Sequence, residues 1–398
     1  MSVAYMGRRS DSVTLLACLA VLALTLGLAP KAHAQLNLVY VEGNVVGGGG
    51  NQVIGFSNDG AGNLTPLPGS PYLTGGFGVT GVFSDIQFDS DGELLANSAG
   101  SLLFAVNGGS NNVSAFNVNA DGSLTLTPSS PFSSGGQDPV SLAMKEHSYS
   151  NGDSLIVVTN KASDPLQTGV PNYTTFEVTS AGAMTMNPGS TFSLPAGTSP
   201  VQVITRPGVR VQFFGIEFMD DSVVTYKVTK AGIMSAASSA NAGNVVVGGV
   251  AHPTKTGIYI GLPGVNQVGV TKYDSAGNLT ILRKVSNPGQ LVCWLTMNAA
   301  GTHLYTGETP SGSVTFYDTT NAGNPVQKQH FVLSPAGSLA AHVKLDPTEK
   351  FLYVVDRNGS LHVLDVDSAG MLSENHPPTD LGLIPLSGTP QGLVTMLK

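Results

Sequence analysis

The chain is poor in charge, in cysteine and in tryptophan. Of its 398 residues, 11% are charged, two are cysteine and one is tryptophan. So little charge beside a hydrophobic content of 41% excludes a disordered chain, which needs high charge and little apolar surface. The composition also excludes a coiled coil, which needs abundant charged helix formers. A formal charge of −8 argues against a broad nucleic-acid-binding surface.

Long apolar runs are missing everywhere except at the N-terminus. There, Arg8 and Arg9 precede the apolar residues 13–28, and Ala32-His33-Ala34 follows them. This order predicts a secretory signal peptide, residues 1–34, that is cut after Ala34. A membrane anchor is the alternative, but 16 apolar residues are short for a bilayer. Cleavage as a lipoprotein at Cys18 fits less well, because the apolar run continues past it. The export route stays open.

Cleavage after residue 34 changes the charge and the cysteine content of the protein. Without Arg8, Arg9, Lys31 and Asp11, the chain keeps 15 basic and 25 acidic residues, a formal charge of −10. Cys293 then has no intramolecular partner, so the fold must rely on burial rather than on disulfides. We expect a secreted or periplasmic monomer that does not stay attached to the membrane.

The chain is rich in turn-forming residues, with 49 glycines and 24 prolines. One turn pattern recurs seven times, with a short strand, a glycine, and Leu, Met or once Pro two residues after it. The turn glycines are Gly62, Gly122, Gly182, Gly232, Gly277, Gly323 and Gly370. Their spacing of 45 to 60 residues indicates an array of similar units. Glycine suits hairpin turns because it takes a positive φ at little cost.

Each of these turns follows an apolar strand, and a second strand lies ahead of it. The strands before the turns carry Phe56, Phe116, Phe176, Tyr226, Tyr273, Tyr317 and Leu364. The second strands include residues 38–41, 155–158, 258–260 and 352–355. Helical periodicity is absent, so residues 35–398 are predicted to form an all-β, seven-bladed β-propeller of four-stranded antiparallel blades. Residues 391–397 would close the ring on the N-terminal blade. The alternative is a pair of β-sandwiches.

The innermost strands of the blades should line a central channel. We assign them to residues 83–89, 140–145, 201–206, 247–252, 293–298 and 341–346. Alternate residues of these strands are apolar and are expected to pack between blades, because successive side chains point to opposite faces. The other set is expected to face the channel, since unpaired polar groups are costly in a dry core. This set contains Asp85, Gln87, Ser141, Gln202, Trp294, Thr296, His342 and Lys344.

Further polar residues follow the second strands and should lie on the same face of the ring. They are Glu217, Glu308, Asp356 and Arg357. Acidic, cationic, imidazole and aromatic groups that converge at a concave mouth predict a binding or catalytic site. The alternative is a water-filled channel mouth without chemistry.

No motif points to a cofactor or metal, and none is predicted. Residues 47–50 are glycine-rich but lack the rest of a phosphate-binding loop. Residues 89–93 resemble calcium ligands, but the twelve-residue loop is missing and we interpret them as a turn. The histidines lack metal-site spacing.

Several repeats resemble the lactonase family of seven-bladed propellers, related to bacterial 6-phosphogluconolactonase and fungal carboxymuconate cyclase. The features are Phe-Leu-Tyr-Val-Val at 351–355 with Gly-Ser-Leu-His-Val at 359–363, and Asn-Asn-Val-Ser-Ala-Phe at 111–116 with Asp-Gly-Ser-Leu at 121–124. The resemblance spans residues 36–398. It implies a propeller that hydrolyses a sugar lactone at the channel mouth.

The resemblance transfers only part of the family's pattern. Glu217 matches the acid of the family's Asn-Glu-Leu, whereas Pro200-Val201-Gln202 lacks the family's Arg and His, and Asp138-Pro139 keeps only the proline. The candidate catalytic set is therefore Glu217, His342 and Arg357, with a general base and charge stabilisation as their roles. The alternative function is a non-catalytic propeller that binds a small ligand, such as a lactone or carbohydrate, or a protein.

Overall fold

The computed structural model describes residues 1–4, 35–47, 50–79, 92–162, 169–383 and 388–398. Almost all of the predicted signal peptide, and also Asp85 and Gln87, lie outside these residues. The described residues form 32 β-strands and two 3₁₀ turns, Gly108–Ser110 and Pro263–Val265. None of their helical segments is long and apolar enough to span a membrane.

The described strands form seven antiparallel sheets, numbered here as blades 1 to 7. Blade 1 contains β1 (Asn37–Glu42), β2 (Gln52–Asn58), β3 (Leu64–Pro66), β4 (Tyr72–Leu73) and the C-terminal β32 (Gln391–Leu397). Blade 2 contains β5 (Leu94–Ala96), β6 (Leu102–Asn107), β7 (Asn112–Val118), β8 (Leu124–Leu126) and β9 (Phe132–Ser133). Blade 3 contains β10 (Pro139–Lys145), β11 (Ser154–Asn160), β12 (Asn172–Val178), β13 (Met184–Met186) and β14 (Phe192–Ser193).

The remaining blades repeat this arrangement. Blade 4 contains β15 (Pro200–Thr205), β16 (Gln212–Glu217), β17 (Ser222–Val228) and β18 (Met234–Asn241). Blade 5 contains β19 (Val247–Ala251), β20 (Gly257–Leu262), β21 (Gln267–Tyr273) and β22 (Leu279–Ser286). Blade 6 contains β23 (Val292–Met297), β24 (His303–Glu308), β25 (Ser313–Asp318) and β26 (Val326–Val332). Blade 7 contains β27 (Ala340–Leu345), β28 (Phe351–Asp356), β29 (Ser360–Val366), β30 (Leu372–Ser373) and β31 (Thr379–Asp380).

The blades close into a ring. The first strands of successive blades contact one another in the order β5, β10, β15, β19, β23, β27 and β32, and β32 contacts β5. β32 pairs antiparallel with β1, with Thr395 opposite Val39. The seven-bladed fold and the pairing of both chain ends in one blade are therefore confirmed.

The core lies between the blades, in seven apolar clusters. Each second strand contributes side chains to the interfaces on both sides of its blade, as β1 shows. In β1, Leu38 and Tyr40 pack against blade 2, while Val39 and Val41 pack against blade 7. Alternate side chains of one strand point to opposite faces, so an apolar run is buried on both sides.

The repeated turns link neighbouring blades. Six of the seven turn glycines have a positive φ, and Gly323 is the exception. The Tyr305 hydroxyl of blade 6 donates to the carbonyl of Gly370 in the blade 7 turn at 2.9 Å. Tyr40 and Tyr259 make the same kind of bond to the turns of blades 2 and 6, at 2.6 and 2.8 Å. The turns therefore belong to the inter-blade contacts.

Six of the seven first strands lie close to where the sequence predicts a first strand. In blade 2, the described strand that pairs with β6 is Leu94–Ala96 instead of residues 83–89. The alternate apolar residues Ile86 and Phe88 favoured a strand at 83–89, and this segment lies outside the described residues.

Candidate functional site at the channel mouth

First strands begin and second strands end at one face of the ring, the channel mouth. β-Bulges or register irregularities interrupt the first strands there. They fall between Pro139 and Ser141, Pro200 and Gln202, Val247 and Gly249, Val292 and Trp294, Ala340 and Val343, and opposite Val41 and Glu42 at Gly392. A bulge re-aims the side chains beside it, so the simple alternation used for the sequence assignment does not hold at the mouth.

Ser141 and Gln202 connect neighbouring first strands. The Ser141 hydroxyl accepts a hydrogen bond from the N–H of Val203 at 3.2 Å. The Gln202 carbonyl oxygen accepts one from the N–H of Gly249 at 2.6 Å. Both side chains are buried. They stabilise the inner ring by satisfying backbone donors of the next blade.

Trp294 of β23 and His342 of β27 lie side by side near the mouth, but Trp294 belongs to the apolar core cluster between blades 6 and 7 rather than facing an open channel. Their rings stack with centroids 4.8 Å apart and planes 10° from parallel. His342 Nε2 lies 3.6 Å from Oε1 of Glu93. The exposed fractions of Trp294 and His342 are 1% and 2%, so both rings are buried. An imidazole beside a carboxylate is an arrangement suited to proton transfer.

Besides β1, which ends on Glu42, five second strands end on a buried carboxylate or carboxamide. These residues are Asn107, Asn160, Glu217, Glu308 and Asp356. Glu217 Oε1 accepts hydrogen bonds from the hydroxyls of Tyr173 at 2.8 Å and Tyr226 at 2.9 Å. Burial raises the pKa of Glu217 to about 7, although the tyrosine bonds oppose the rise. The carboxyl group lies between blades 3 and 4, where it holds two tyrosines.

Glu308 is also directed into the blades. Its Oε1 accepts hydrogen bonds from Asn287 at 3.0 Å and Thr306 at 2.5 Å, and its Oε2 accepts one from Ser313 at 2.8 Å. Burial raises the pKa of Glu308 to about 7 against these bonds. Glu308 therefore connects its own blade to the end of blade 5.

Asp356 belongs to a buried chain of two carboxylates and one imidazole. Its Oδ2 lies 3.4 Å from Nε2 of His362, whose Nδ1 lies 2.6 Å from Oε1 of Glu374. Burial alone would lower the pKa of His362, but the two carboxylates outweigh it and raise the pKa. For Asp356, burial is outweighed by bonds from His362, Asn358 and Leu339, which lower its pKa. All three side chains belong to blade 7: Asp356 ends its second strand, His362 lies on its third strand and Glu374 follows β30.

The two cationic residues predicted for the site, Lys344 and Arg357, lie in different parts of blade 7. Lys344 is exposed and lies further along β27, towards the opposite face of the ring. Arg357 is half-buried directly after β28, and its N–H donates to the carbonyl of Leu339 at 3.1 Å. The mouth therefore groups Ser141, Gln202, Trp294 and His342 on the inner strands, whereas Glu217, Glu308 and Asp356 turn into the blades.

Sequence reasoning missed Glu42, Glu93 and Gln391, which line one small cavity at the mouth. Glu42 could have been found, because it directly follows the predicted strand 38–41 and interrupts its apolar run. Glu93 had no comparable signal, since its neighbours were interpreted as a turn. No group of three or more His, Cys, Asp or Glu side chains within the described part of the chain is placed to hold a metal ion.

Comparison with known proteins agrees with the fold. The family described as "Lactonase, 7-bladed beta-propeller" matches residues 250–380, which cover blades 5 to 7. The resemblance noted from the sequence is thereby confirmed. Comparison with curated protein sequences gives no match.

Solved structures of similar shape cover nearly the whole ring. A periplasmic gluconolactonase from Pseudomonas aeruginosa aligns with a TM-score of 0.69 at 16% identity, over 91% of this chain and 99% of that one. A candidate 6-phosphogluconolactonase from Bacteroides fragilis aligns with 0.65 at 16% identity, over 93% and 100%. A Lactobacillus plantarum protein aligns with 0.67 at 17% identity, over 91% and 100%. At these identities, the similarity establishes a shared fold.

Proposed function

We propose that this chain is an exported lactonase-type propeller that binds an uncharged sugar lactone at the channel mouth and hydrolyses it. The observation that carries the proposal is the His342 imidazole, which is stacked on Trp294 and lies 3.6 Å from the Glu93 carboxylate. The fold shared with a periplasmic gluconolactonase supports both the reaction class and the export. The leader at residues 1–34 supports export independently.

In the proposed reaction, His342 acts as the general base. It takes a proton from a water molecule while the water oxygen adds to the lactone carbonyl carbon. The bond between this carbon and the ring oxygen then breaks, and the ring oxygen takes up the proton. The product is the open hydroxy acid, and no other reactant is needed. Glu93 would orient the imidazole and stabilise its protonated form.

The charges at the mouth favour an uncharged substrate. Its described acidic residues are Glu42, Glu93 and Asp138, and its described cationic residues are Lys161 and Arg357. The three acids and Lys161 are buried. A phosphate group would lie close to these buried carboxyl groups and would lose affinity through repulsion. We therefore expect weak or absent turnover of 6-phosphogluconolactone.

The test is a hydrolysis assay of residues 35–398 with gluconolactone and its 6-phosphate, corrected for spontaneous opening. The uncharged lactone should be turned over, and His342→Gln should lower kcat by roughly 10²- to 10⁴-fold, the usual contribution of a general base. His330→Gln is the matched control, because His330 lies on the outer strand β26 and should leave turnover unchanged. Full activity in His342→Gln, or a preference for the phosphorylated lactone, would overturn the proposal.

The same assay tests the earlier catalytic assignment of Glu217. Its hydrogen bonds to Tyr173 and Tyr226 favour a positioning role. Loss of turnover in Glu217→Gln without a fall in Tm would instead identify Glu217 as the general base. If the wild-type chain binds gluconolactone in calorimetry but does not open it, the protein is a binding propeller.

A further inference from the structure

A small cavity lies at the channel mouth where the two ends of the chain meet. Four polar side chains line it, those of Glu42, Asn44, Glu93 and Gln391, together with apolar residues that include Val106 and Val140. The Asn44 side chain is already bonded to the backbone of Val79 on both its oxygen and its nitrogen. Its free volume of about 10 Å³ is the space of one water molecule or one bare ion. The cavity thus joins strands from the N-terminus, from blade 2 and from the C-terminus.

The backbone brings Glu42, Glu93 and Gln391 together. Glu42 of β1 lies opposite Gln391 of β32, and the next residue, Gly392, is the extra residue of the bulge with a φ of +59°. A Cβ at Gly392 would lie only 3.0 Å from the Cβ of Glu93. Glycine at this bulge therefore allows β32 to approach blade 2 closely.

Glu42 has no counterpart in the other blades. It lies opposite Val53, as Val106 lies opposite Val113 in blade 2 and Ile216 lies opposite Val223 in blade 4. A carboxylate thus occupies a position that is apolar in these repeats and faces the next blade. Such a substitution is costly unless the charge has a partner.

Two oxygens in the cavity accept no hydrogen bond from the described residues. They are Oε2 of Glu42 and Oε1 of Gln391, and both residues are more than nine-tenths buried. Oε1 of Glu42 is bonded by Asn51 at 2.7 Å, so Oε2 is the one unsatisfied oxygen of this carboxylate. Glu308, in contrast, has hydrogen bonds to both oxygens. Unsatisfied buried acceptors call for a donor or a cation.

We propose that this cavity is a binding site for one calcium ion. Its lining offers the oxygens of two carboxylates and of the Gln391 carboxamide, and oxygen is the donor that Ca²⁺ prefers. Backbone carbonyls or water would complete the coordination. The ion would neutralise Glu42 and Glu93 and would hold together three segments that are far apart in sequence. The inference does not depend on the proposed hydrolysis.

The single tryptophan permits a localised test. Trp294 stacks on His342, which in turn lies 3.6 Å from Glu93. Terbium, a luminescent substitute for calcium, should therefore emit when the indole is excited, and added CaCl₂ should quench this emission by competition. Trp294→Phe should remove the emission but keep calcium binding in calorimetry. Calcium should also raise Tm, because it binds only the folded ring.

Glu42→Gln should weaken calcium binding by about tenfold or more, since affinity follows the number of charged ligands. Glu308→Gln is the matched control and should bind like the wild-type chain. If Glu42→Gln fails to fold, Gln391→Glu serves instead and should tighten binding by adding a charge. Absence of binding at millimolar calcium, unchanged affinity in Glu42→Gln or Gln391→Glu, or an equal response to NaCl would each overturn the proposal.

Discussion

Residues at equivalent strand ends make different contacts in this protein. Glu217 holds two tyrosines, Glu308 holds hydroxyl and amide groups, and Asp356 meets an imidazole. Each lies at the mouth end of a second strand, yet each turns into the blades and away from the channel. A buried carboxyl group can have a perturbed pKa without a part in chemistry. The pKa shifts of Glu217 and Glu308 follow from burial, whereas that of Asp356 follows from its hydrogen bonds.

Glu217 gives the first prediction at this scale. Its pKa rises from 4.5 to about 7 on folding, so its contribution to stability is complete below pH 4.5 and is lost as the pH rises through 7. Glutamine keeps an acceptor for both tyrosines and cannot ionise. Relative to the wild type, Glu217→Gln should therefore gain about 1–3 kcal/mol in the free energy of unfolding between pH 5 and pH 8. Urea unfolding at both pH values measures this, and an equal difference at both would contradict it.

His362 gives a second prediction with its own pH window. Its pKa is raised above the ordinary 6.5, so its stabilising contribution is complete below pH 6.5 and is lost as the pH rises through the raised value. His362→Gln leaves Asp356 and Glu374 buried without their cationic partner. The variant should lose about 3 kcal/mol of unfolding free energy at pH 6 and less at pH 9. A loss that does not change with pH would show that His362 acts only through packing.

At the scale of elements, the bulges and the turns connect each blade to its neighbour. The bulges set which side chains of the first strands reach the next blade, as Ser141 and Gln202 do. The turns receive hydroxyl groups from the preceding blade, as Gly370 does from Tyr305. Because each element is bonded to the next repeat, a blade depends on its neighbours for satisfied polar groups.

Tyr305→Phe tests this dependence. It removes one hydroxyl bond to the Gly370 carbonyl while the ring stays in place. We expect a loss of about 1 kcal/mol in the free energy of unfolding, the usual net contribution of one hydrogen bond. Blade 2 has Phe104 at the equivalent position, so the ring without its hydroxyl is compatible with the fold. A variant as stable as the wild type would show that the turn carbonyl finds water instead.

The closing strand β32 carries the strongest prediction for a single element. Removal of residues 391–398 exposes β1 on one side and takes away the backbone bonds between Leu36 and Lys398. The truncated chain should be insoluble or should unfold without cooperativity, because an open ring has unpaired edges. Removal of residues 1–34 is the control and should not affect unfolding. A monomeric truncation that unfolds cooperatively would contradict closure by β32.

At the scale of the whole molecule, the propeller fold and the proposed export of the protein are separate properties. The fold similarity to a gluconolactonase and to a Lactobacillus plantarum protein holds at 16% and 17% identity. Such similarity follows from repeated inter-blade packing and leaves the mouth residues free to differ. The proposed export depends instead on the predicted leader, residues 1–34.

The leader predicts a mature N-terminus at Gln35. The basic, apolar and A-x-A segments of residues 1–34 are the features that a signal peptidase recognises. Mass spectrometry of the periplasmic and secreted fractions should find a chain that begins at Gln35. Detection of an intact segment 8–34 in exported material would contradict cleavage, and an Ala34→Pro variant should retain the leader.

The sequence by itself determined the architecture of this protein. Turn glycines such as Gly122, alternating strands and a C-terminal strand that matches first strands are local patterns, and they predicted seven blades and a closed ring. The tertiary structure decided which polar residues share the mouth. Alternation is a property of one strand, whereas a bulge such as that at Gly392, or the two tyrosines that hold Glu217, depends on segments far away in sequence. For this reason, the sequence did not predict that Glu93 and Gln391 lie together at the mouth, and only the tertiary structure brings them there.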